Sequence, residues 1–243
     1  MTGGPLLLDL GNSRLRVADW EGPGKRGEVS ERDLDWLEDA SLDDWLAPHL
    51  DDGAREIFAS STHPAYWEEH LAPRLASFSV HLPGPDTFPF PVRSTGTGSD
   101  RILAGHAAWR RAGNPVLVAD IGTAWTLDAV GKAGDFLGGA IGPGLTVLEQ
   151  GLEVACPHLG EPAPSGTIPG IPDTTPASLR AGIHVALSCA LEGLADRWEK
   201  DHGPFPGRFL TGGGAAAIEE HMANAWKRAD HLVLEGLSWI PGS

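Results

Sequence analysis

"VADIGTAWTLDA", residues 118–129, is a near-double of "LLDLGNSRLRVA", residues 7–18. Each copy reads as an apolar strand ending in Asp-x-Gly-(Asn/Thr)-(Ser/Ala), then a turn, then a second alternating strand. Working outward from the first copy, residues 5–10 and 14–20 form a hairpin around Gly11-Asn12, and the acidic stretch 29–53, with Trp36 and Trp45, is unassigned or helical. "REIFASST" (55–62) reads as a buried strand, "AYWEEHLAPRLAS" (65–77) as a helix broken near Pro73, and "SDRILAGHAAWRRAG" (99–113) as an amphipathic helix closed by Gly113. The pattern restarts at residue 115. "PVLVADIG" and "AWTLDAVGK" are strands, "DFLGGAIGPG" is a strand running into a turn, "TVLEQGLEVAC" is a helix, and the Pro/Thr/Gly-rich run 160–176 is a loop. A long helix follows in "ASLRAGIHVALSCALEGLADRWEKD", then a strand and loop in "RFLTGGG", a helix in "AAAIEEHMANAWKRA" and a last strand in "HLVLEG". The expected architecture is α/β in two similar halves, 1–114 and 115–243.

Composition narrows the function classes. The chain has 243 residues, 41% of them hydrophobic, enough for one large core or two modest ones. A net charge of −15 argues against nucleic acid or an anionic membrane as partner, since both require a basic face to replace counterions. Two cysteines, Cys156 and Cys189, are too few for a disulfide framework and point to a reducing cytoplasm. The opening "MTGGPLLLDL" has no basic region and reads as a strand rather than a secretory leader, and no stretch reaches the roughly 20 apolar residues of a membrane span.

The repeated turn carries chemistry. A glycine after a strand-end aspartate lets successive N–H groups point into one concavity and hold an anion. Asn12, Ser13 and Thr123 add side-chain donors. Asp9 and Asp120 would repel phosphate unless a cation lies between, so two such turns would clamp a polyphosphate and its metal. Either turn alone is more simply an ordinary hairpin with Asx-type residues; the presence of both, at strand ends in matching halves, favours the phosphate reading.

Taken in order, "DLGNS", "GSDR" (98–101), "DIGTAWT" and "GGAIGPGL" (138–145) resemble type III pantothenate kinase, a family in the superfamily of acetate and sugar kinases, heat-shock ATPases and actin. The resemblance spans nearly the whole chain. It implies two tandem ribonuclease-H-like (actin-like ATPase) domains with mixed sheets flanked by helices, and an ATP-dependent phosphorylation of pantothenate in coenzyme A biosynthesis. It assigns Asp9, Leu10, Gly11, Asn12, Ser13, Arg14, Leu15 and Arg16 to the first phosphate loop, with Asp9 near magnesium, and gives Thr123 an ATP contact. Asp120 resembles a ligand of a monovalent cation, potassium or ammonium. Gly98, Ser99, Asp100 and Arg101 would grip pantothenate, with Asp100 as proton acceptor. Thr175 matches a substrate-contacting threonine placed near a neighbouring subunit of a homodimer, and Gly212 and Gly213 would lie by the adenosine.

Independent chemistry agrees with the role of Asp100. Phosphorylating an alcohol needs alignment, neutralised charge and a carboxylate to take the hydroxyl proton, while Arg101 can hold a carboxylate by a forked pair of hydrogen bonds. A plain helix N-terminal aspartate fits the sequence equally well; the resemblance decides between them. Two departures stand out. Ser13 replaces a common threonine, and the segment "FPFPVRSTGTGSDR" lacks the family's substrate-side tyrosine, leaving Phe88 or Phe90 to pack there.

Other motifs carry less. "GPGKR" (22–26) lacks P-loop spacing, the histidines make no H-E-x-x-H, Cys156 and His158 are too few ligands for zinc, and the run with Asp33, Asp35, Asp39, Asp43, Asp44, Asp51 and Asp52 reads as a solvated face. The runner-up is an NAD-binding protein using G-x-G-x-x-A at 212–217, with Glu235 ending the next strand as the ribose acid. It leaves both D-x-G turns unexplained. A nonenzymatic nucleotide-binding regulator of the same superfamily is the third reading.

Overall fold

Leu6–Leu10 (β1) and Arg14–Gly22 (β2) pair antiparallel across the first D-x-G turn, and every β1 residue is buried, the mark of a strand covered on both faces. The computed structural model describes residues 4–34, 39–50, 55–84, 87–164, 170–223 and 225–241. It divides into two units: Met1–Arg111 with Gly134–Leu137 and His231–Ser243, and Ala112–Ala133 with Gly138–Asp230. The chain first crosses at Arg111-Ala112, close to Gly113-Asn114, and returns to the first unit at its end.

In the first unit, Lys25–Arg26 (β3) and Ser30–Asp33 (β4) pair with β2, while Glu56–Ser61 (β5) runs parallel to β1 and Ser79–His81 (β6) parallel to β5. The strand order is β3-β2-β1-β5-β6. Strand alternation sends Leu6, Leu8, Leu10, Ile57 and Ala59 to one face, against Leu42 and Leu46 of helix Asp39–Leu50 (α1) and Trp67, Leu71 and Leu75. The expected helix 65–77 is instead one turn, Pro64–Tyr66 (α2), then a π-turn over Trp67–Leu71 and further turns, where Pro73 has no N–H to continue the ladder. The expected helix forms over Ser99–Ala112 (α3), but it is not amphipathic through its middle, where Ile102 to Ala108 are all buried.

The second unit repeats the plan. Val116–Ile121 (β7) and Ala124–Val130 (β8) form the antiparallel pair, Phe136–Pro143 (β9), whose first two residues are counted with the first unit, flanks β8, Gly207–Thr211 (β10) lies parallel to β7, and Trp226–Arg228 (β11) parallel to β10, in the order β9-β8-β7-β10-β11. Its helices are Leu145–Ala155 (α4), Thr175–Arg180 (α5), Ala186–His202 (α6) and Ala215–Ile218 (α7), with a π-turn over Ala181–Val185 inside the expected long helix. The predicted helix over 215–229 is therefore short. After α7 comes a 3₁₀ turn over Glu219–His221, and β11 follows, where the Trp226 indole donates to Glu192 at 2.8 Å.

The last apolar run is a helix, Leu232–Leu237 (α8), not a strand, and it belongs to the first unit. It follows His231, held at φ 60. Arg111 forks onto the Glu235 carboxylate, one arm at 2.6 Å. Trp20 donates to the Ser238 carbonyl at 2.8 Å. Residues Asp35, Asp51 and Asp52 of the acidic run, and 165–169 of the long loop, lie outside the described residues.

Candidate active site

The first D-x-G turn closes with the Gly11 N–H donating to the Arg14 carbonyl at 2.9 Å, leaving Asn12 and Ser13 exposed at the tip. Leu10 and Leu15 are fully buried core residues, so only their main chain can meet a ligand. Arg14 pairs with Asp33 at 2.7 Å, and Arg16 bridges Glu31 at 3.0 Å and Asp9 at 3.3 Å. β4 thus supplies acids that hold both arginines, and Asp33, expected on a solvated face, has a specific partner.

Paired residues of neighbouring strands share a face. The registers Asp9↔Arg16 and Asp9↔Ser60 therefore put these three side chains together at the end of the sheet. Asp9 is 4% exposed. Burial pushes its carboxyl up to about 6, Arg16 opposes that, and the charge of Asp100 adds to it. Asp100 stands in the first turn of α3, and burial raises it too, against the Arg101 amide and guanidinium. The two carboxylates are therefore within electrostatic reach of one another. Gly98 leaves the Asp100 carboxylate its space, since a Cβ there would sit 2.5 Å from Oδ1.

The sequence reading overlooked the end of β5. Ser60, fully buried, shares a 2.9 Å hydrogen bond with Ser99, and Thr62 donates to the Leu10 carbonyl through its N–H (2.9 Å) and hydroxyl (3.3 Å). The signal was there in Ser60-Ser61-Thr62, three hydroxyl residues closing an apolar strand.

In the second unit, the Gly122 N–H donates to the Ala124 carbonyl at 3.1 Å and Thr123 is exposed at the crest. Asp120 lies in register with Thr126 on β8 and Thr211 on β10, where Asp9 has an arginine and a serine. Gly212 has φ +91, and a Cβ there would come within 2.6 Å of the Ile121 N and O and strike the Asp120 carboxylate. Only glycine fits. Gly213 is exposed beside it. The Gly144 N–H, at the start of α4, donates to the Thr123 carbonyl at 2.9 Å, so a helix N-terminus adjoins the second turn, another feature the motif reading left without a role. Thr175, the exposed first residue of α5, opens instead on a hollow of about 410 Å³ lined by Leu148, Leu152, Leu179 and Ile183.

The structure thus gathers Asp9 through Arg16 with Gly98 through Arg101 in one unit, and Asp120, Thr123, Gly212 and Gly213 in the other. The dinucleotide reading fails on Glu235, which lies in a helix, buried and ion-paired with Arg111, rather than at a strand end.

Two sheets of the same strand order, each opening on a D-x-G hairpin, define a protein of the actin-like ATPase and sugar-kinase fold. An inorganic polyphosphate/ATP-glucomannokinase from Arthrobacter sp. strain KM matches with a TM-score of 0.53 at 14% identity over 97% of each chain. A protein described as a Baf family transcriptional activator from Campylobacter jejuni matches at 0.63 and 20% identity, over 97% of this chain and 96% of that one. At such identities the likeness shows the fold alone. The sequence goes further: the family model for type III pantothenate kinase matches residues 5–197. The type III pantothenate kinase of Thiobacillus denitrificans is 33% identical over 249 residues, 99% of this chain and 97% of that protein. The chain belongs to the type III pantothenate kinase family.

Proposed function

We propose that this protein phosphorylates pantothenate with ATP, forming 4'-phosphopantothenate for coenzyme A biosynthesis. The observation that carries the reading is that Ser60, in register with Asp9 beside the first phosphate turn, hydrogen-bonds Ser99 and so holds Asp100, at the start of α3, near the same end of the sheet. The pantothenate hydroxyl oxygen attacks the γ-phosphorus, its proton passes to the Asp100 carboxylate, and the bond to the ADP oxygen breaks. Burial makes Asp100 a stronger base than a solvated aspartate. Arg101 holds the substrate carboxylate, with Gly98 and Ser99 shaping the pocket.

ATP meets the main chain of residues 9–16 in the first unit, and Thr123 with the Gly212-Gly213 loop in the second. Among the described residues no group of three His, Cys, Asp or Glu is placed to hold a metal. Magnesium carried by nucleotide phosphates needs only one or two carboxylates; Asp9 would hold it, and the ion would neutralise phosphate charge. Asp120 holds the monovalent cation, potassium or ammonium.

The protein acts as a homodimer in the cytoplasm, Thr175 completing the partner's acceptor pocket. The apolar hollow beside Thr175 supports a partner at that surface. Among the described residues no helix is long and apolar enough to cross a membrane.

The test is incubation with ATP, magnesium and a panel of hydroxyl acceptors, read by mass spectrometry for phosphopantothenate. Asp100→Asn should lower kcat by about 10²- to 10⁴-fold while melting temperature and ATP affinity hold. A near-normal kcat ends the general-base assignment.

A further inference from the structure

We propose that Ser60 is a positioning residue for phosphoryl transfer: its buried hydroxyl, hydrogen-bonded to Ser99, fixes where the Asp100 carboxylate stands relative to Asp9. The inference rests on the assignment of Asp100 as proton acceptor. Ser60 is the last residue but one of a strand whose preceding residues, Ile57, Phe58 and Ala59, are apolar and buried. At 0% exposure an alanine would suit the site better on burial alone, because a buried hydroxyl costs free energy unless it is bonded. Its bond goes to Ser99, at 2.9 Å, 39 residues along the chain.

That bond joins two pieces of the chemistry. On one side, Ser60 is the β5 residue in register with Asp9, so it shares the rigid sheet frame that holds the phosphate-turn carboxylate. On the other, Ser99 is the first residue of α3 and Asp100 the second. The first turn of a helix has no intrahelical bonds for its N–H groups and frays most easily. Gly98, immediately before it, adds freedom rather than restraint. A turn of α3 held only by its own backbone would let Asp100 swing; the Ser60 hydroxyl ties it to the sheet. Misplacing a reacting group by about 1 Å costs on the order of 10²-fold in rate. Thr62, two residues on, fastens the Leu10 carbonyl just before the Gly11 turn, so the end of β5 braces both loops.

The experiment compares Ser60→Ala, Ser99→Ala and the double variant with wild type, measuring kcat, KM for ATP and pantothenate, and melting temperature. Ser60→Ala should lower kcat by about 10- to 100-fold, with KM for ATP unchanged. The double variant should be no slower than the slower single, because both remove one bond. Wild-type kcat in Ser60→Ala, or losses that multiply in the double variant, overturns the proposal. If Ser60→Ala does not fold, Ser99→Ala breaks the same bond from its less buried side, and a wild-type kcat there overturns it equally. Asp100→Asn is run alongside. If that variant is inactive while Ser60→Ala is fully active, the positioning role alone falls; if Asp100→Asn keeps wild-type kcat, the base assignment falls and this inference with it.

Discussion

Replacing Asp9 by asparagine should change how stability depends on pH. Burial raises the Asp9 carboxyl from 3.8 to about 6 in the folded protein. The unfolded chain therefore gives up this proton first. The group's favourable contribution is complete below pH 3.8 and disappears as pH climbs through about 6. A rise of about two pH units, at about 1.4 kcal/mol each, amounts to about 3 kcal/mol lost between pH 4 and 7. Asparagine does not titrate, so Asp9→Asn removes this slope, and Arg16 keeps Glu31 at 3.0 Å as a partner. Asp100 is present in both proteins and cancels, apart from its repulsion of Asp9. Urea unfolding of both proteins, free of metal and nucleotide, at half-unit steps from pH 4 to 7.5, measures the difference. It should swing by about 3 kcal/mol in favour of the variant as pH rises. Parallel curves would refute the reasoning, showing that Asp9 is solvated or fully neutralised by Arg16.

Gly212→Ala forces a side chain into a left-handed position against the Ile121 backbone, with a strain of about 1–3 kcal/mol; thermal stabilisation by ATP should vanish, and a wild-type shift in melting temperature counts against the loop's role. Asp120→Asn should weaken ATP binding and the response to potassium or ammonium together, and full wild-type turnover in buffer holding only sodium or tris would remove the cation from the scheme. Mixing inactive Asp100→Asn with inactive Thr175→Ala subunits should restore part of the activity through mixed dimers. No recovery, with subunit exchange verified, places both residues in one chain's site.

The hairpins around Gly11 and Gly122 were legible because strand alternation, the strand-end aspartate and the glycine turn all agree. So was α3 as a helix, though Ile102 through Ala108 are buried without a break rather than along one stripe. Residues 232–237 misled because a short apolar run has no period that separates a buried helix from a strand. The alanines after Gly214 promised a long helix, but local propensity yielded to the sheet edge, where Trp226–Arg228 pairs with β10. The candidate site divides the same way. Motif residues were visible as motifs, while Ser60 and the acids of β4 act through partners 39 and about 15 residues away, which no local pattern announces.

The return of α8 to the first unit sets an order of events during synthesis. The Trp20 indole waits for a carbonyl 218 residues later in the chain. Contacts of such separation form slowly, since the intervening chain must be closed before they repay the entropy. A nascent polypeptide released only as far as residue 230 would carry every described strand of both sheets and still lack the helix bonded to Arg111 and the Ser238 carbonyl bonded to Trp20. The N-terminal unit, made first, is finished last.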